Sequence, residues 1–164
     1  MTEPSTRNNR VPFSIRGAVL KDWPFVSHSW VSSYSKRGIA GRGHLGPYEV
    51  SPPRTSEDVY LDGQHALVTK LAQSTTALVA CSETDPEDQL FGYIVFEPKE
   101  DDSLIHYLYV KECFRNMGIG RALYEKVVDL CEQAPTTVTH WTWILDKYVR
   151  RGMKLKYNPY RSYL

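Results

Sequence analysis

The stretch Val110-Lys-Glu-Cys-Phe-Arg-Asn-Met-Gly-Ile-Gly-Arg121 decides the fold of this chain. The segment that leads into it, Leu104 to Val110, is apolar and aromatic with β-branched residues, which predicts a buried strand. The glycines therefore stand where a strand passes into a helix N-terminus, where free N–H groups and the helix dipole attract an anion. The helix is predicted by apolar residues at three-and-four spacing, at Ile119, Ala122, Leu123, Val127, Leu130 and Cys131.

Segments outside this stretch predict further elements. A glycine- and proline-rich loop should span Lys36 to Arg54. Asp22 is an expected N-cap for the first helix. The predicted strands are Phe13–Leu20, Thr75–Ser82, Leu90–Glu97, Thr136–Thr142 and Met153–Tyr160, and the predicted helices run from about Trp23 to Ser35, from Thr55 to about Gln73 and from Leu145 to Arg151.

Length and composition indicate one domain. At 164 residues the chain can bury one core, and we expect a flexible N-terminal lead-in over residues 1–12 and a single domain over residues 13–164. The 20 basic and 19 acidic residues give a net charge of +1, which argues against nucleic-acid binding. The three cysteines lack metal-ligand spacing, so no metal is expected. Without a signal peptide or an apolar run of ~20 residues, the sequence predicts a cytoplasmic protein with no membrane contact.

The hexapeptide Arg115-Asn-Met-Gly-Ile-Gly120 resembles the Arg/Gln-x-x-Gly-x-Gly/Ala signature of the GNAT superfamily of acyl-CoA-dependent N-acyltransferases. Val110 lies five residues before Arg115, as in the family's Val-x-x-x-x-Arg lead-in. The predicted element order, β-α-α-β-β-β-α-β-α-β, also follows the family over nearly the whole chain. The resemblance implies an α+β (mixed α/β) GNAT fold, with a central, mostly antiparallel sheet of about six strands flanked by about four helices.

The resemblance implies that acetyl-CoA is the co-substrate. In the family the turn holds the pyrophosphate through backbone amides, here those around Asn116, Gly118, Gly120 and Arg121. Pantetheine follows the preceding strand, and the amide of Leu108 is suited to the thioester carbonyl. The residues expected to bind the cofactor are Leu108, Tyr109, Val110, Arg115, Asn116, Met117, Gly118, Ile119, Gly120 and Arg121.

Tyr148 is the candidate general acid. Tyr148-Val-Arg-Arg-Gly-Met153 resembles the family's Tyr-x-x-x-Gly-Phe, with Met153 in place of phenylalanine. A thiol has a pKa near ~8.5 and a phenol near ~10, so a tyrosine can protonate the leaving thiolate.

Two residues are candidates for removing the amine proton. His106 lies four residues before Val110, like a histidine of arylalkylamine N-acetyltransferases, and Asp102 lies eight before, like a glutamate of other family members. Both are expected on the strand face that also carries Leu108 and Val110. The ordinary histidine pKa of ~6.5 favours His106, acting directly or through a water, but the sequence leaves both open.

The expected activity is N-acetyl transfer from acetyl-CoA to a primary amine, by direct attack in a ternary complex. The acceptor is a small molecule or a protein amino group. In the family the Lys36–Arg54 loop borders the acceptor, so His44, Tyr48 and Glu49 are candidate contacts. The protein is expected to be a monomer or a homodimer. The alternative is a CoA-binding, catalytically degenerate module with a regulatory or interaction role.

Overall fold

The computed structural model describes residues 10–37 and 57–162. Most of the predicted acceptor loop, with its candidates His44, Tyr48 and Glu49, lies outside these ranges, as does most of the lead-in.

The described residues form one six-stranded sheet in the order β1-β2-β3-β4-β5-β6. The first four strands are an antiparallel meander, and β5 and β6 add to it in parallel. This architecture confirms the predicted mixed fold. The strands are β1 (Phe13–Gly17), β2 (Thr76–Ser82), β3 (Leu90–Glu97), β4 (Leu104–Val110), β5 (Thr137–Val138) and β6 (Lys156–Tyr157), and the helices are α1 (Trp23–Arg37), α2 (Glu57–Ser74), α3 (Ile119–Cys131) and α4 (Trp143–Arg150).

Helices cover both faces of the sheet, which explains why β2, β3 and β4 are apolar almost throughout. On one face, α1 and α2 enclose a core that includes Trp30 and Tyr93. On the other, α3 packs its apolar stripe against the sheet, with Ile119 and Leu123 fully buried. The sheet is therefore a rigid layer between two cores, and loops at its edges can carry a site.

A β-bulge interrupts β4 at His106. Val95 of β3 pairs with Tyr107 and Phe96 pairs with Ile105, which leaves His106 without a partner on β3. Ile105 and Leu108, three residues apart, consequently both pack into the core on the α3 side. The expected alternation that placed His106, Leu108 and Val110 on one face is broken at this point. The sequence contains no signal for a one-residue bulge.

The predicted fifth strand, Thr136–Thr142, is reduced to two residues. β5 pairs with β4 at Thr137 and Val138, and the Thr139 N–H then donates to the Ile105 carbonyl at 3.0 Å. After that hydrogen bond the chain leaves β4, because Thr142 already caps α4 by accepting from the Leu145 N–H. The predicted last strand, Met153–Tyr160, is also reduced to two residues, Lys156 and Tyr157.

This early departure opens one edge of β4. The Lys111 N–H donates to the Phe91 carbonyl at 2.8 Å, which fixes the alternation of hydrogen bonds along β4. By that alternation the N–H groups of Leu108 and Val110 point away from β3, toward the side that β5 has left. Within residues 10–37 and 57–162, no strand lies beside β4 there.

Asp22 does not play the predicted role of N-cap for α1. Its carboxylate accepts from the Val19 N–H at 2.8 Å and pairs with Arg16 at 2.7 Å. It therefore closes the 3-10 turn before α1 and ties that turn to β1. The sequence does not distinguish a cap of α1 from a cap of the 3-10 turn before it, because Asp22 lies within one turn of free N–H groups in either case.

Candidate active site

The glycine turn between β4 and α3 is anchored to the strand before it. Arg115 Nε donates to the Val110 carbonyl at 2.9 Å, which gives the Val-x-x-x-x-Arg spacing a physical reason. Asn116 and Gly118 adopt left-handed backbone angles, with φ of 62° and 84°. α3 then begins at Ile119 with no acidic residue in its first turn. No side chain caps this end of the helix, so its first N–H groups remain available to an anion.

A cavity of about 430 Å³ lies against this turn, in the size range of small-molecule sites. Its lining has no carboxylate among the described residues, although Arg121 also pairs with Glu125 at 2.8 Å. Such a basic cavity at a helix N-terminus suits a ligand with several phosphates. The cationic side chains of the lining are Arg10, Arg115, Arg121, Lys147 and Arg151.

The structure gathers most of the predicted cofactor residues at this cavity, but not all of them. Leu108 and Met117 are not among its lining residues, and Tyr109 contacts Phe25 and Tyr93 on the α1 side of the sheet. Those that line it are Val110, Arg115, Asn116, Gly118, Ile119, Gly120 and Arg121.

Sequence reasoning missed several residues of the lining. Lys147 and Arg151 stand four residues apart around Tyr148, a helical spacing that was available as a signal. Arg10 gave no signal, because it lies in a polar segment without a period. Phe114 and Ile144 complete the missed set.

Tyr148 faces the first turn of α3. Its hydroxyl oxygen lies 3.0 Å from the position that a Cβ atom would take on Gly120. The end of α4 is fixed by a Met153 N–H to Tyr148 carbonyl hydrogen bond of 3.1 Å and by Gly152 at φ 99°. Burial raises the pKa of Tyr148, and Arg151 and Arg121 oppose this only in part. The phenol is thus protonated at neutral pH, as a proton donor must be.

His106 is fully buried at the bulge of β4. Its Nδ1 lies 2.9 Å from Thr139 Oγ1, and its Nε2 lies 3.2 Å from Glu97 Oε2. Burial lowers the pKa of His106, and Glu97 counteracts this incompletely. The imidazole is therefore neutral at pH 7 and can accept a proton, but both of its nitrogens already have partners.

Asp102 lies at the opposite end of β4 from the cavity. Its carboxylate accepts from the N–H and hydroxyl of Thr136, at 3.0 and 2.8 Å, and from the Thr137 hydroxyl. Burial raises the pKa of Asp102, but these hydrogen bonds outweigh it and hold the pKa below the ordinary value. Six residues of strand separate Asp102 from Leu108, or roughly 20 Å. The carboxylate fastens the start of β5 to β4.

The described part of the chain contains no cluster of histidine, cysteine, aspartate and glutamate suited to a metal ion. None of its helices combines the length and apolarity needed to cross a bilayer.

Solved structures with the same fold are acetyltransferases by description. A candidate acetyl transferase from Pyrococcus furiosus has a TM-score of 0.56 at 16% identity, covering 88% of this chain and 95% of that one. A possible acetyltransferase from Clostridium difficile 630 has a TM-score of 0.54 at 16% identity, covering 89% and 93%. The PaiA N-acetyltransferase from Thermoplasma acidophilum, in complex with coenzyme A, has a TM-score of 0.51 at 14% identity, covering 74% and 73%.

Sequence comparison gives the family. Curated protein sequences yield no significant match. The profile of the acetyltransferase (GNAT) family matches residues 44–147, more than half of the chain, including β4, the glycine turn and α3. With the six-stranded sheet and the basic cavity at the glycine turn, this match shows that the chain belongs to the acetyltransferase (GNAT) family.

Proposed function

We propose that the protein transfers the acetyl group of acetyl-CoA to a primary amine, with both substrates bound together. The observation that carries this proposal is the basic cavity at the N-terminus of α3, which the Tyr148 hydroxyl reaches from α4. An anion site alone would suit many ligands. An anion site next to a protonated phenol and an open strand edge suits a phosphorylated thioester.

The donor is held by its phosphates. The first-turn N–H groups of α3 and the left-handed turn at Asn116 and Gly118 bind the pyrophosphate, and the surrounding cations neutralise its charge. The coenzyme A bound to the Thermoplasma acidophilum relative supports this ligand class. The cavity continues to Val110, from which pantetheine follows the open edge of β4.

The thioester lies beside Leu108 in this proposal. The N–H of Leu108 points to the open edge and donates to the thioester carbonyl, whose oxygen gains negative charge as the amine attacks. Because the sheet holds β4 between two cores, this donor is fixed before the substrate binds. Tyr148 then protonates the departing thiolate.

We assign the amine proton to His106 rather than Asp102. His106 lies two residues from Leu108, or about 7 Å along the strand, whereas Asp102 lies at the other end of β4. Both ring nitrogens of His106 already have hydrogen-bond partners, so the proton reaches it through a neighbouring group or a water.

Acetyl transfer is tested by following free thiol release from acetyl-CoA with a panel of small amines, polyamines and peptides. The proposal expects thiol release only when an amine is present, with a matching mass increase of one acetyl group on that amine. Because Cys113 is exposed, an enzyme-only blank is needed with thiol reagents. Binding of acetyl-CoA without transfer to any acceptor would instead favour the CoA-binding regulatory module.

A further inference from the structure

Four polar side chains form one line of hydrogen bonds through the end of the sheet. Glu97 Oε2 lies 3.2 Å from His106 Nε2, His106 Nδ1 lies 2.9 Å from Thr139 Oγ1, and Thr139 Oγ1 lies 3.0 Å from His140 Nδ1. Glu97 is 30% exposed, whereas the other three are at most 4% exposed. The line therefore runs from solvent into the protein interior.

The charge of Glu97 sets the direction of every proton in this line. Lys99 lies 3.1 Å from its other oxygen, and although burial raises the pKa of Glu97, Lys99 and His106 hold it below the ordinary value. An ionised Glu97 only accepts, so His106 carries its proton on Nε2 and its Nδ1 accepts from the Thr139 hydroxyl. The Thr139 oxygen in turn accepts from Nδ1–H of His140.

The inner end of the line lies where β4 and β5 separate. Thr139 makes the last backbone hydrogen bond between the two strands, to Ile105. His140 then sits among aromatic rings, with ring centroids 5.0 Å from Trp30, 5.2 Å from Tyr34 and 6.2 Å from Tyr107. Trp30 Nε1 is also buried at this end and has no hydrogen-bond partner in the described structure. Its N–H is therefore available to donate to a polar ligand.

We propose that Glu97 is a positioning residue for His106 and the outer terminus of a proton wire that runs from His140 through Thr139 and His106. This inference rests on the proposed acetyl transfer. It adds Glu97, Thr139 and His140 to the account of the site, and it explains how a histidine with both nitrogens engaged serves as a base.

The proton transfer balances without leaving charge on either imidazole. An amine proton arrives at Nε2 of His140, whose Nδ1 proton passes to Thr139. The Thr139 hydroxyl proton passes to Nδ1 of His106, and the Nε2 proton of His106 passes to Glu97. The carboxylic acid formed at the surface then releases this proton to water. The relay leaves His140 protonated on Nε2 and His106 protonated on Nδ1, and the first state returns when each ring gives that proton to water and takes another from water at its other nitrogen.

The tautomers are tested first, without any need for activity. Nitrogen-15 NMR of histidine-labelled protein should show His106 protonated on Nε2 and His140 protonated on Nδ1. The titratable groups around His106 are Glu97 at the end of β3, Lys99 two residues after it, and the neutral His140 after β5. Glu97→Gln should therefore lower the pKa of His106 further, because the carboxylate is the group that raises it. A wild-type His106 protonated on Nδ1, or an unchanged titration in Glu97→Gln, would overturn the proposal.

Kinetics test the wire itself. Glu97→Gln and Thr139→Val should each lower kcat by ~10–100-fold and change its pH profile, with the KM of acetyl-CoA unchanged. Thr139→Ser should restore the rate because it restores the hydroxyl. Glu87→Gln, at an exposed carboxylate of the loop after β2, is the matched control and should behave as wild type.

A network that only clamps the strands together would lower the melting temperature without changing the pH profile of kcat, and that result would contradict the wire. Wild-type rates in both Glu97→Gln and Thr139→Val would contradict it as well. Absence of acetyl transfer by the wild type would instead refute the proposed function, and the NMR tautomers would still decide the hydrogen-bond direction.

Discussion

The hydroxyl oxygen of Tyr148 lies 3.0 Å from the position that a Cβ atom would occupy on Gly120. A methyl group there would push the phenol away from the first turn of α3. Gly120 is thus needed for close packing of Tyr148 against the anion site, since its backbone has no positive φ that would itself require glycine.

Gly120→Ala should therefore displace the Tyr148 hydroxyl and lower kcat together with the affinity for acetyl-CoA, and it should not show the gain of ~0.5–1 kcal/mol that alanine normally gives over glycine in a helix. The matched control is Gly63→Ala in α2, where a Cβ atom meets nothing within 4 Å and the substitution should stabilise by ~0.5–1 kcal/mol. Urea unfolding and calorimetric titration check both. A gain in stability for Gly120→Ala with unchanged binding would contradict the packing argument.

Arg151 and Arg150 are neighbours with different surroundings. Arg151 lines the cavity, whereas Arg150 is 80% exposed and pairs with Asp146 at 2.9 Å. Arg151→Glu should weaken acetyl-CoA binding by ~10-fold or more at low salt and less at high salt, because it removes a cation facing phosphate.

Arg150→Glu is the matched control and should change the dissociation constant by less than about twofold. The acetyl thioester of N-acetylcysteamine, which has no phosphate, provides a second control. Its turnover should be insensitive to Arg151→Glu. Equal effects of the two charge reversals would show that only the overall charge of the protein matters.

Tyr148→Phe should lower kcat by ~100-fold and leave acetyl-CoA binding intact, because the hydroxyl is needed only for the leaving thiolate. Burial raises the pKa of Tyr148 above the ordinary value of 10.0, so the wild-type phenol keeps its proton through neutral and mildly alkaline pH. Any alkaline fall of kcat caused by Tyr148 should disappear in Tyr148→Phe. Tyr160→Phe, at a side chain 76% exposed, should leave the pH profile unchanged.

His140 should make stability depend on pH. Burial lowers its pKa from 6.5 to about 3, so between these values the unfolded chain binds a proton that the folded protein does not. The free energy of unfolding should therefore rise with pH there, by about 1.4 kcal/mol per pH unit for this residue. His106, whose pKa is also lowered, acts in the same direction.

Urea unfolding between about pH 4 and 6 measures this slope. His140→Phe should reduce it by the contribution of one histidine, even where the variant is less stable at every pH. An unchanged slope would mean that His140 is protonated in the folded protein.

Asp102→Asn should affect stability more than catalysis. The carboxylate accepts three hydrogen bonds from Thr136 and Thr137, and their weakening should cost about 1–3 kcal/mol. Its folded pKa is depressed, so this stabilisation is present above the unfolded pKa of 3.8 and is lost as pH falls. Asp101→Asn, at the exposed neighbouring residue, is the control. If Asp102→Asn lowered kcat as much as His106→Ala does, the base would be Asp102 rather than His106.

The strongly periodic elements could be predicted from the sequence, and the interruptions could not. The helix after the glycine turn, the strands on either side of Glu83–Gln89 and the order of elements follow from apolar spacing and turn residues. The bulge at His106 and the early end of β5 depend on how neighbouring strands pair, and the spacing of residues within one strand does not predict that pairing.

The candidate site also has a part that the sequence predicts and a part that it does not. The anion turn and Tyr148 were predicted because their residues are close in sequence or match a family spacing. Glu97, Thr139 and His140 were missed because two other segments, the end of β3 and the residues after β5, bring them to His106. Arg10 was missed because a cation in a polar lead-in looks like any other solvated charge.

The central claim, that the glycine turn and its basic cavity bind acetyl-CoA, is tested most directly by calorimetric titration with acetyl-CoA. The wild type should bind, and Gly118→Asp should not, because it places a carboxylate beside the phosphates and a side chain at φ 84°. Gly17→Asp, which adds the same charge at the end of β1 where a Cβ atom meets nothing within 4 Å, should bind as the wild type does. Equal affinity of Gly118→Asp and the wild type would contradict the account.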